Sequence, residues 1–123
     1  MEQEKAFKTL LDCCFRVHTA LGPGLLESAY ESCLYHELLL SGLKAVKQKA
    51  LPLVYKDIKL DAGYRVDILV ENSIVVEIKS IEAIADIHIA QILTYMKLSK
   101  SRLGLLVNFN VAHLKDGIKR LIL

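Results

Sequence analysis

The spacing of apolar residues predicts two helices in the first third of the chain. From Gln3 to Leu21, apolar side chains recur at steps of three and four residues, which marks one face of a helix. Gly22-Pro23-Gly24 ends this helix, because proline cannot continue a helix and glycine tolerates the turn. A second helix is predicted from about Leu25 to Leu40. Ser41-Gly42 ends it, and the glycine suits the left-handed position that comes after a helix.

After the second helix the period changes to two, which predicts strands. The segment Lys44–Tyr55 alternates loosely, as a half-exposed strand does, and Pro52 would place it at a sheet edge or a bulge. Lys56-Asp57 is typical of a turn, and a short strand is expected over Ile58–Leu60. A break at Asp61-Ala62-Gly63 separates this region from the next predicted strand.

The next part of the chain predicts a hairpin, a third helix and a buried strand. The hairpin joins Tyr64–Val70 to Ile74–Ser80 through the tight turn Glu71-Asn72-Ser73. The helix is expected from about Ile84 to Leu98, and the buried strand covers Gly104–Phe109.

The tail, Ala112–Leu123, is expected to hold a short helix or a strand. The order α-α-β-β-β-α-β is typical of an α/β domain with a mixed sheet. A chain of 123 residues has the usual length of one domain, and it shows no repeat, linker or low-complexity tract. The sequence therefore predicts a single domain over residues 1–123.

Composition narrows the class of protein. A hydrophobic content of 53% with 24% charged residues indicates a folded globular chain. No apolar run approaches the roughly 18 residues that cross a membrane. The charged start, Met1–Lys5, is not a signal peptide, so a cytoplasmic location is expected. The net charge of +2 neither demands nor excludes a nucleic-acid partner.

The three cysteines are not arranged for chemistry. Cys13 and Cys14 are adjacent, Cys33 stands alone, and the odd number argues against a disulfide framework. No spacing among them matches a metal motif. They are therefore expected to be buried, reduced thiols on the first two helices.

Two carboxylates interrupt the apolar runs of the predicted hairpin. Asp67 lies in its first strand and Glu77 in its second, and Lys79 follows Glu77 on the same face. An unpaired carboxylate is costly to bury, so such residues are usually paired or bind metal. Mg²⁺ needs only one or two carboxylates, and it would activate water and stabilise charge at a phosphate. Lys79 would position or deprotonate that water, or neutralise the transition state. The alternative is an exposed hairpin face with a cross-strand ion pair.

Two helices carry further polar candidates. His88, Gln91 and Tyr95 follow one face of the third helix, where they could reach phosphate, a base or a metal-bound water; the alternative is a solvated or hydrogen-bonded face. Glu27 opens the second helix and is the natural third carboxylate. Its alternative role is a favourable interaction with the helix dipole.

Gly24-x-x-Glu27-x-x-Tyr30 resembles the pattern that names the GxxExxY protein family, and the segment Val17–Glu27 resembles that family's opening block. The family belongs to the PD-(D/E)XK nuclease superfamily. The resemblance covers about Phe7–Leu123, with Val66 standing where the superfamily name has proline. The order of four motifs resembles the superfamily branch of exonuclease-type domains. These motifs are Glu27, Asp67, Glu77-Ile78-Lys79 and Gln91-x-x-x-Tyr95.

The resemblance implies a restriction-endonuclease-like core, with a mixed four-stranded sheet flanked by helices. It implies that Asp67 and Glu77 ligate Mg²⁺ or Mn²⁺, with the Ile78 carbonyl as an additional ligand. Glu27 would complete or support the metal site, and Lys79 would be the catalytic lysine. The residues expected on the substrate side are Gln91, Tyr95, Tyr30 and His88.

Two functions remain open at this point. The first is a metal-dependent nuclease that hydrolyses phosphodiester bonds in DNA or RNA, with DNA expected first, and a symmetric homodimer would suit a duplex cut on both strands. The second is a non-catalytic nucleic-acid- or protein-binding module on a nuclease fold. Five lysines in the edge-strand region would then bind the phosphates of a nucleic-acid backbone; the alternative is that they form a solvated strand face. They are Lys44, Lys47, Lys49, Lys56 and Lys59.

Overall fold

A mixed sheet with helices on both faces forms the centre of the fold. The computed structural model describes residues 2–61 and 63–123, and over these residues it contains three α-helices, one 3₁₀ turn and seven strands. The helices are α1 (Gln3–Leu21), α2 (Glu27–Leu40) and α3 (Asp86–Leu98), and the 3₁₀ turn is Leu114–Gly117. The strands are β1 (Ala45–Ala50), β2 (Leu53–Tyr55), β3 (Ile58–Leu60), β4 (Arg65–Val70), β5 (Ile74–Lys79), β6 (Leu103–Asn108) and β7 (Ile118–Ile122).

Five of these strands form the main sheet in the order β1-β4-β5-β6-β7 within the described part of the chain. Strands β5 and β6 are parallel and are connected through α3, whereas the other neighbouring pairs are antiparallel. A parallel pair needs a crossover, and α3 supplies it. The predicted α/β class with a mixed sheet is confirmed. The expected four strands become five, because the tail adds β7 beside β6.

The sheet separates two apolar cores. Helices α1 and α2 pack on one face, where Leu10 and Leu34 meet sheet residues such as Val76. Helix α3 covers the other face, where Ile92 and Met96 pack with sheet residues such as Val75. The central strands β5 and β6 are therefore buried on both faces, which explains their continuous apolar runs.

Several predicted boundaries shift for local reasons. The expected single strand Lys44–Tyr55 is divided into β1 and β2, and Pro52, which has no N–H to donate, lies at the division. Helix α2 begins at Glu27, two residues later than expected. The tail holds both a 3₁₀ turn and a strand. The expected break at 61–63 includes Ala62, which lies outside the described residues.

A small antiparallel hairpin, β2–β3, lies in the connection between β1 and β4, and we call it the hairpin arm. A bond of 2.8 Å from the Leu51 N–H to the Tyr64 carbonyl closes its base. The expected turn lies at Lys56-Asp57. Because β1 is an edge strand, its lysines and those of the hairpin arm are exposed, as predicted for an edge region.

Two further expectations can be checked in the described residues. Cys13 and Cys14 are buried and free, as predicted, but Cys33 is exposed, because it lines an open groove between α1 and α2 and not the core beneath them. None of the helices in residues 2–61 and 63–123 combines the length and apolar character that a membrane crossing requires.

Candidate active site

Asp67 lies where the regular pairing of β4 is interrupted on both sides. The register of β4 with β5 ends at the Ile68–Val76 pair, and its register with β1 omits Gln48 and Asp67. Gln48 has a φ of 53°, in the left-handed region that residues other than glycine rarely adopt. Irregular backbone of this kind is concentrated at functional sites.

The interruption also reverses the side-chain alternation along β4. Ile68 and Val70 belong to the core beneath α1 and α2, whereas Val66 belongs to the core beneath α3. Strict alternation would have placed Val66 with Ile68. The side chain of Asp67 is therefore directed toward α2, which a simple count along the strand does not predict.

Asp67 and Glu77 exchange hydrogen bonds across this gap. The Asp67 N–H donates to Glu77 Oε2 at 2.9 Å, and the Ile78 N–H donates to Asp67 Oδ2 at 2.8 Å. Each carboxylate thus accepts a backbone donor from the other strand, in place of an inter-strand pair. This exchange holds both carboxylates at the junction of β4 and β5.

Burial makes the negative charge of this pair unfavourable. Glu77 is only 4% exposed. Burial is the main cause that raises its pKa to about 8, and repulsion from Asp67 is the second. The Asp67 N–H and Lys79 act in the opposite direction and lower this pKa. Burial is also the main cause that raises the pKa of Asp67, with the Ile78 N–H and Lys79 opposing it. The pair therefore holds a proton at neutral pH unless a cation neutralises it.

Helix α2 brings two more carboxylates to the same place. Glu27 Oε2 accepts the Ser80 N–H at 3.1 Å, just after β5 ends. Glu31, one turn further along α2, accepts from the Gln48 amide at 2.6 Å, and the same amide nitrogen lies 3.4 Å from Asp67 Oδ1. Together with Ser28 and Ile78, these four side chains line one pocket.

Glu31 and Gln48 were not identified from the sequence. Residues four positions apart share a helix face, so the four-residue spacing between Glu27 and Glu31 could have identified Glu31 from the sequence. Burial, with a smaller effect of Asp67, raises the pKa of Glu31, while Gln48 lowers it. Gln48 stands between lysines in an exposed strand, and nothing in its sequence context distinguishes it.

A chain of hydrogen bonds connects Lys79 to α3. Lys79 Nζ donates to Gln91 Oε1 at 3.2 Å, and Gln91 Nε2 donates to the Tyr95 hydroxyl oxygen at 3.2 Å. Burial raises the pKa of Tyr95, so its hydroxyl is neutral at pH 7. The structure thus connects Lys79, Gln91 and Tyr95, with Lys79 two residues after Glu77 on β5.

The donor set suits a hard divalent cation. Mg²⁺ keeps several waters and is commonly held by one or two carboxylates, which Asp67 and Glu77 provide. The Lys79 carbonyl accepts the Phe109 N–H on the β6 side, so the preceding carbonyl, that of Ile78, is directed toward β4 and Asp67. Across residues 2–61 and 63–123, no three His, Cys, Asp or Glu side chains already converge as a complete ligand set.

Tyr30 is not on the substrate side. It is fully buried, its ring stacks on Phe109 with centroids 4.5 Å apart, and its hydroxyl donates to the Gly22 carbonyl. The same hydroxyl oxygen accepts the Leu25 N–H at 3.2 Å. Tyr30 therefore holds the turn that precedes α2, and through it the position of Glu27.

His88 also has a structural contact rather than one with the site. Its Nδ1 accepts the Ala85 N–H at 2.8 Å, which caps the first turn of α3. No hydrogen bond described for His88 connects it to the carboxylates or to Lys79. The structure thus places it at the start of the helix that carries Gln91 and Tyr95.

Comparison with known proteins identifies a family for this arrangement. A family model described as the PD-(D/E)XK nuclease superfamily matches residues 4–121, almost the whole chain. No curated protein and no solved structure matches the chain.

Proposed function

The chain belongs to the PD-(D/E)XK nuclease superfamily, and from this membership and its site we propose that it is a metal-dependent nuclease. The proposed reaction is hydrolysis of phosphodiester bonds in nucleic acid, with DNA the first substrate to test. We further assign the chain to the GxxExxY group within the superfamily, on the pattern Gly24-x-x-Glu27-x-x-Tyr30.

One observation carries the proposal. Asp67 on β4 and Glu77 on β5 interrupt the apolar surface of the sheet, and each carboxylate accepts a backbone N–H from the other strand. Lys79 follows Glu77 by two residues on β5. A sheet with only a structural role gains nothing from the buried carboxylate of Glu77 and the half-buried one of Asp67, because their charges are costly there. A divalent cation would offset that cost, which makes the pair useful for binding one.

The roles of the residues follow from their contacts. Asp67 and Glu77 would hold Mg²⁺ or Mn²⁺ together with the Ile78 carbonyl; nucleases of this superfamily generally use divalent metals. The bound ion would lower the pKa of water and offset the phosphate charge. Lys79, oriented by Gln91, would donate to the phosphate or position the attacking water.

The helix α2 carboxylates have supporting roles in this proposal. Glu27 connects α2 to the end of β5 through the Ser80 N–H, and Ser80 Oγ also donates to the Leu25 carbonyl at 2.6 Å. Glu31 holds the Gln48 amide beside Asp67. These contacts set the distance between α2 and the carboxylate pair. A homodimer and a cytoplasmic location stay predictions.

The test is cleavage with matched variants. Single- and double-stranded DNA and RNA are incubated with the protein in Mg²⁺ or Mn²⁺, and then with Asp67→Asn, Glu77→Gln and Lys79→Ala. We expect each variant to lose at least 100-fold in rate, the range that one electrostatic or acid–base group supplies. Asp12→Asn, which removes an exposed carboxylate on α1, is the control and should keep the wild-type rate.

Metal binding is measured separately by calorimetric titration with Mn²⁺. Asp67→Asn should weaken binding, whereas Lys79→Ala should not, because only the carboxylates are proposed as ligands. Failure to cut any substrate, together with unchanged Mn²⁺ affinity in Asp67→Asn, would exclude the nuclease. Salt-sensitive binding of nucleic acid without cleavage would instead favour the non-catalytic binding module.

A further inference from the structure

An apolar pocket of about 300 Å³ lies between α3 and the base of the hairpin arm. Its size is at the lower end of the range for small-molecule sites. Most of its surface is hydrocarbon or aromatic, and Gln91 contributes an amide. The walls include Leu53 and Tyr64 from the arm side and Ile87, Gln91, Tyr95 and Leu98 from α3.

Two aromatic rings form part of the wall of this apolar pocket. The rings of Tyr64 and Tyr95 have centroids 6.3 Å apart with planes inclined at 56°. Tyr64 is 44% exposed, and Ile87 on the opposite wall is 71% exposed. Large apolar side chains that remain this exposed around a concave surface mark a binding site. Two tyrosine rings and an amide suit a planar ligand with a polar edge.

The apolar pocket is continuous with the candidate active site. Gln91 lines the pocket and also accepts from Lys79 Nζ at 3.2 Å, and Tyr95 lines it while bonding to Gln91. A phosphate bound at Lys79 would thus lie one side chain away from the pocket. The exposed Lys56 and Lys59 on the hairpin arm supply positive charge for a nucleic-acid backbone that approaches from that side.

We propose that the apolar pocket binds an unpaired nucleobase that neighbours the phosphate held at Lys79. The inference rests on the proposed nuclease function and names its substrate class, which is single-stranded nucleic acid or a frayed duplex end. A base that is paired and stacked within a duplex cannot enter the pocket without being unstacked, which costs energy. Stacking on an aromatic side chain is available to every base, so the pocket selects strandedness and not sequence.

The test measures affinity, so that it does not depend on cleavage. Fluorescence anisotropy is recorded for a labelled 12-nucleotide DNA strand and for its duplex, in Ca²⁺, whose flexible coordination suits carboxylate sites. Gel electrophoresis confirms that the DNA stays intact. We expect the single strand to bind at least ten-fold more tightly than the duplex. Replacing one nucleotide of the strand by an abasic unit, position by position, should reveal one position that weakens binding.

Two variants and a matched control assign the effect to the apolar pocket. Tyr64→Ala removes one aromatic wall but keeps the backbone bond that closes the arm, and Ala90→Leu fills the pocket from α3. Each should weaken single-strand binding about ten-fold, the scale of one lost base–aromatic stack, and leave duplex binding within two-fold. Tyr55→Ala removes an exposed tyrosine of the same arm that is not in the pocket, and should change neither affinity.

The outcomes separate this inference from the nuclease proposal. Equal affinity for strand and duplex, or equal effects of Tyr64→Ala and Tyr55→Ala, would overturn the pocket even if cleavage is found. Single-strand binding that depends on Tyr64 would support it even if no substrate is cut. Self-association that Ala90→Leu abolishes, measured by sedimentation, would show a second copy of the chain in the pocket and would also overturn the inference.

Discussion

The pH dependence of stability should report directly on Glu77. In the folded protein without metal, its pKa is about 8, against an ordinary value of 4.5. Glu77→Gln replaces the carboxyl by a neutral side chain of the same shape. The glutamine carbonyl oxygen can still accept the Asp67 N–H, so the replacement isolates the charge.

The sign follows from the direction of the pKa change. Between pH 4.5 and 8 the folded protein holds a proton on Glu77 that the unfolded chain has released. The free energy of unfolding contributed by this group is therefore fully present below pH 4.5 and is lost as the pH rises through about 8. Asp67 and Glu31, whose pKa values are also raised, change stability in the same direction.

The magnitude follows from the two pKa values. They differ by about 3.5, and one pKa unit corresponds to about 1.4 kcal/mol, so complete ionisation would cost about 5 kcal/mol. No large reduction for solvent screening applies, because the side chain is 4% exposed. Since single domains are stable by only about 5–15 kcal/mol, the effect should be easy to observe.

The assay is urea unfolding in EDTA at pH values from 5 to 9. Wild type should lose several kcal/mol across this range, and Glu77→Gln should lose much less and be the more stable protein at pH 9. Asp12→Asn, at an exposed position, should follow wild type within about 0.5 kcal/mol. Parallel curves for wild type and Glu77→Gln would refute the argument. Mn²⁺ at pH 8.5 should restore stability to wild type only, because the ion needs the ionised carboxylate.

Three further predictions concern single contacts. Tyr30→Phe should lower the free energy of unfolding by about 1–3 kcal/mol in urea titrations, since a buried turn loses its hydroxyl partner, and should leave the cleavage rate of folded protein within a few-fold. Gln91→Ala should reduce cleavage about ten-fold or more with unchanged Mn²⁺ affinity, because Lys79 loses its orienting acceptor; equal effects on both measurements would contradict this role. Gly117→Ala should destabilise by about 1–3 kcal/mol or prevent folding, since an added Cβ would lie 2.1 Å from the Asn108 carbonyl oxygen, and an unchanged thermal midpoint would contradict it.

Much of the fold was predictable because local patterns carry it. Helix α1 begins and ends where its apolar period predicts, at Gln3 and Leu21. The turn at 71–73 joins β4 and β5 as a hairpin, as expected from its polar residues. The extent of the sheet was harder to predict. Pro52 divided one expected strand, and β7 became a strand only by pairing with β6, which lies ten residues earlier.

Some residues of the candidate site could likewise be predicted from the sequence, and others could not. The types and order of Asp67, Glu77 and Lys79 were visible as charges within apolar strands, and the spacing of Gln91 and Tyr95 placed them on one helix face. Glu31 and Gln48 have no such local contrast. They become part of the site because α2 packs beside the interrupted edge of β4.

The sequence by itself determined which residues alternate, which helix faces are apolar and where the chain turns, since these depend on neighbours within a few positions. Only the tertiary structure decided where the side chains point at the interrupted strand. Alternation would have put Val66 on the face of Ile68, yet the gap at Asp67 reverses it and directs that carboxylate toward α2. The reversal depends on contacts between β1, β4, β5 and α2, which lie far apart in sequence and meet only in the folded chain.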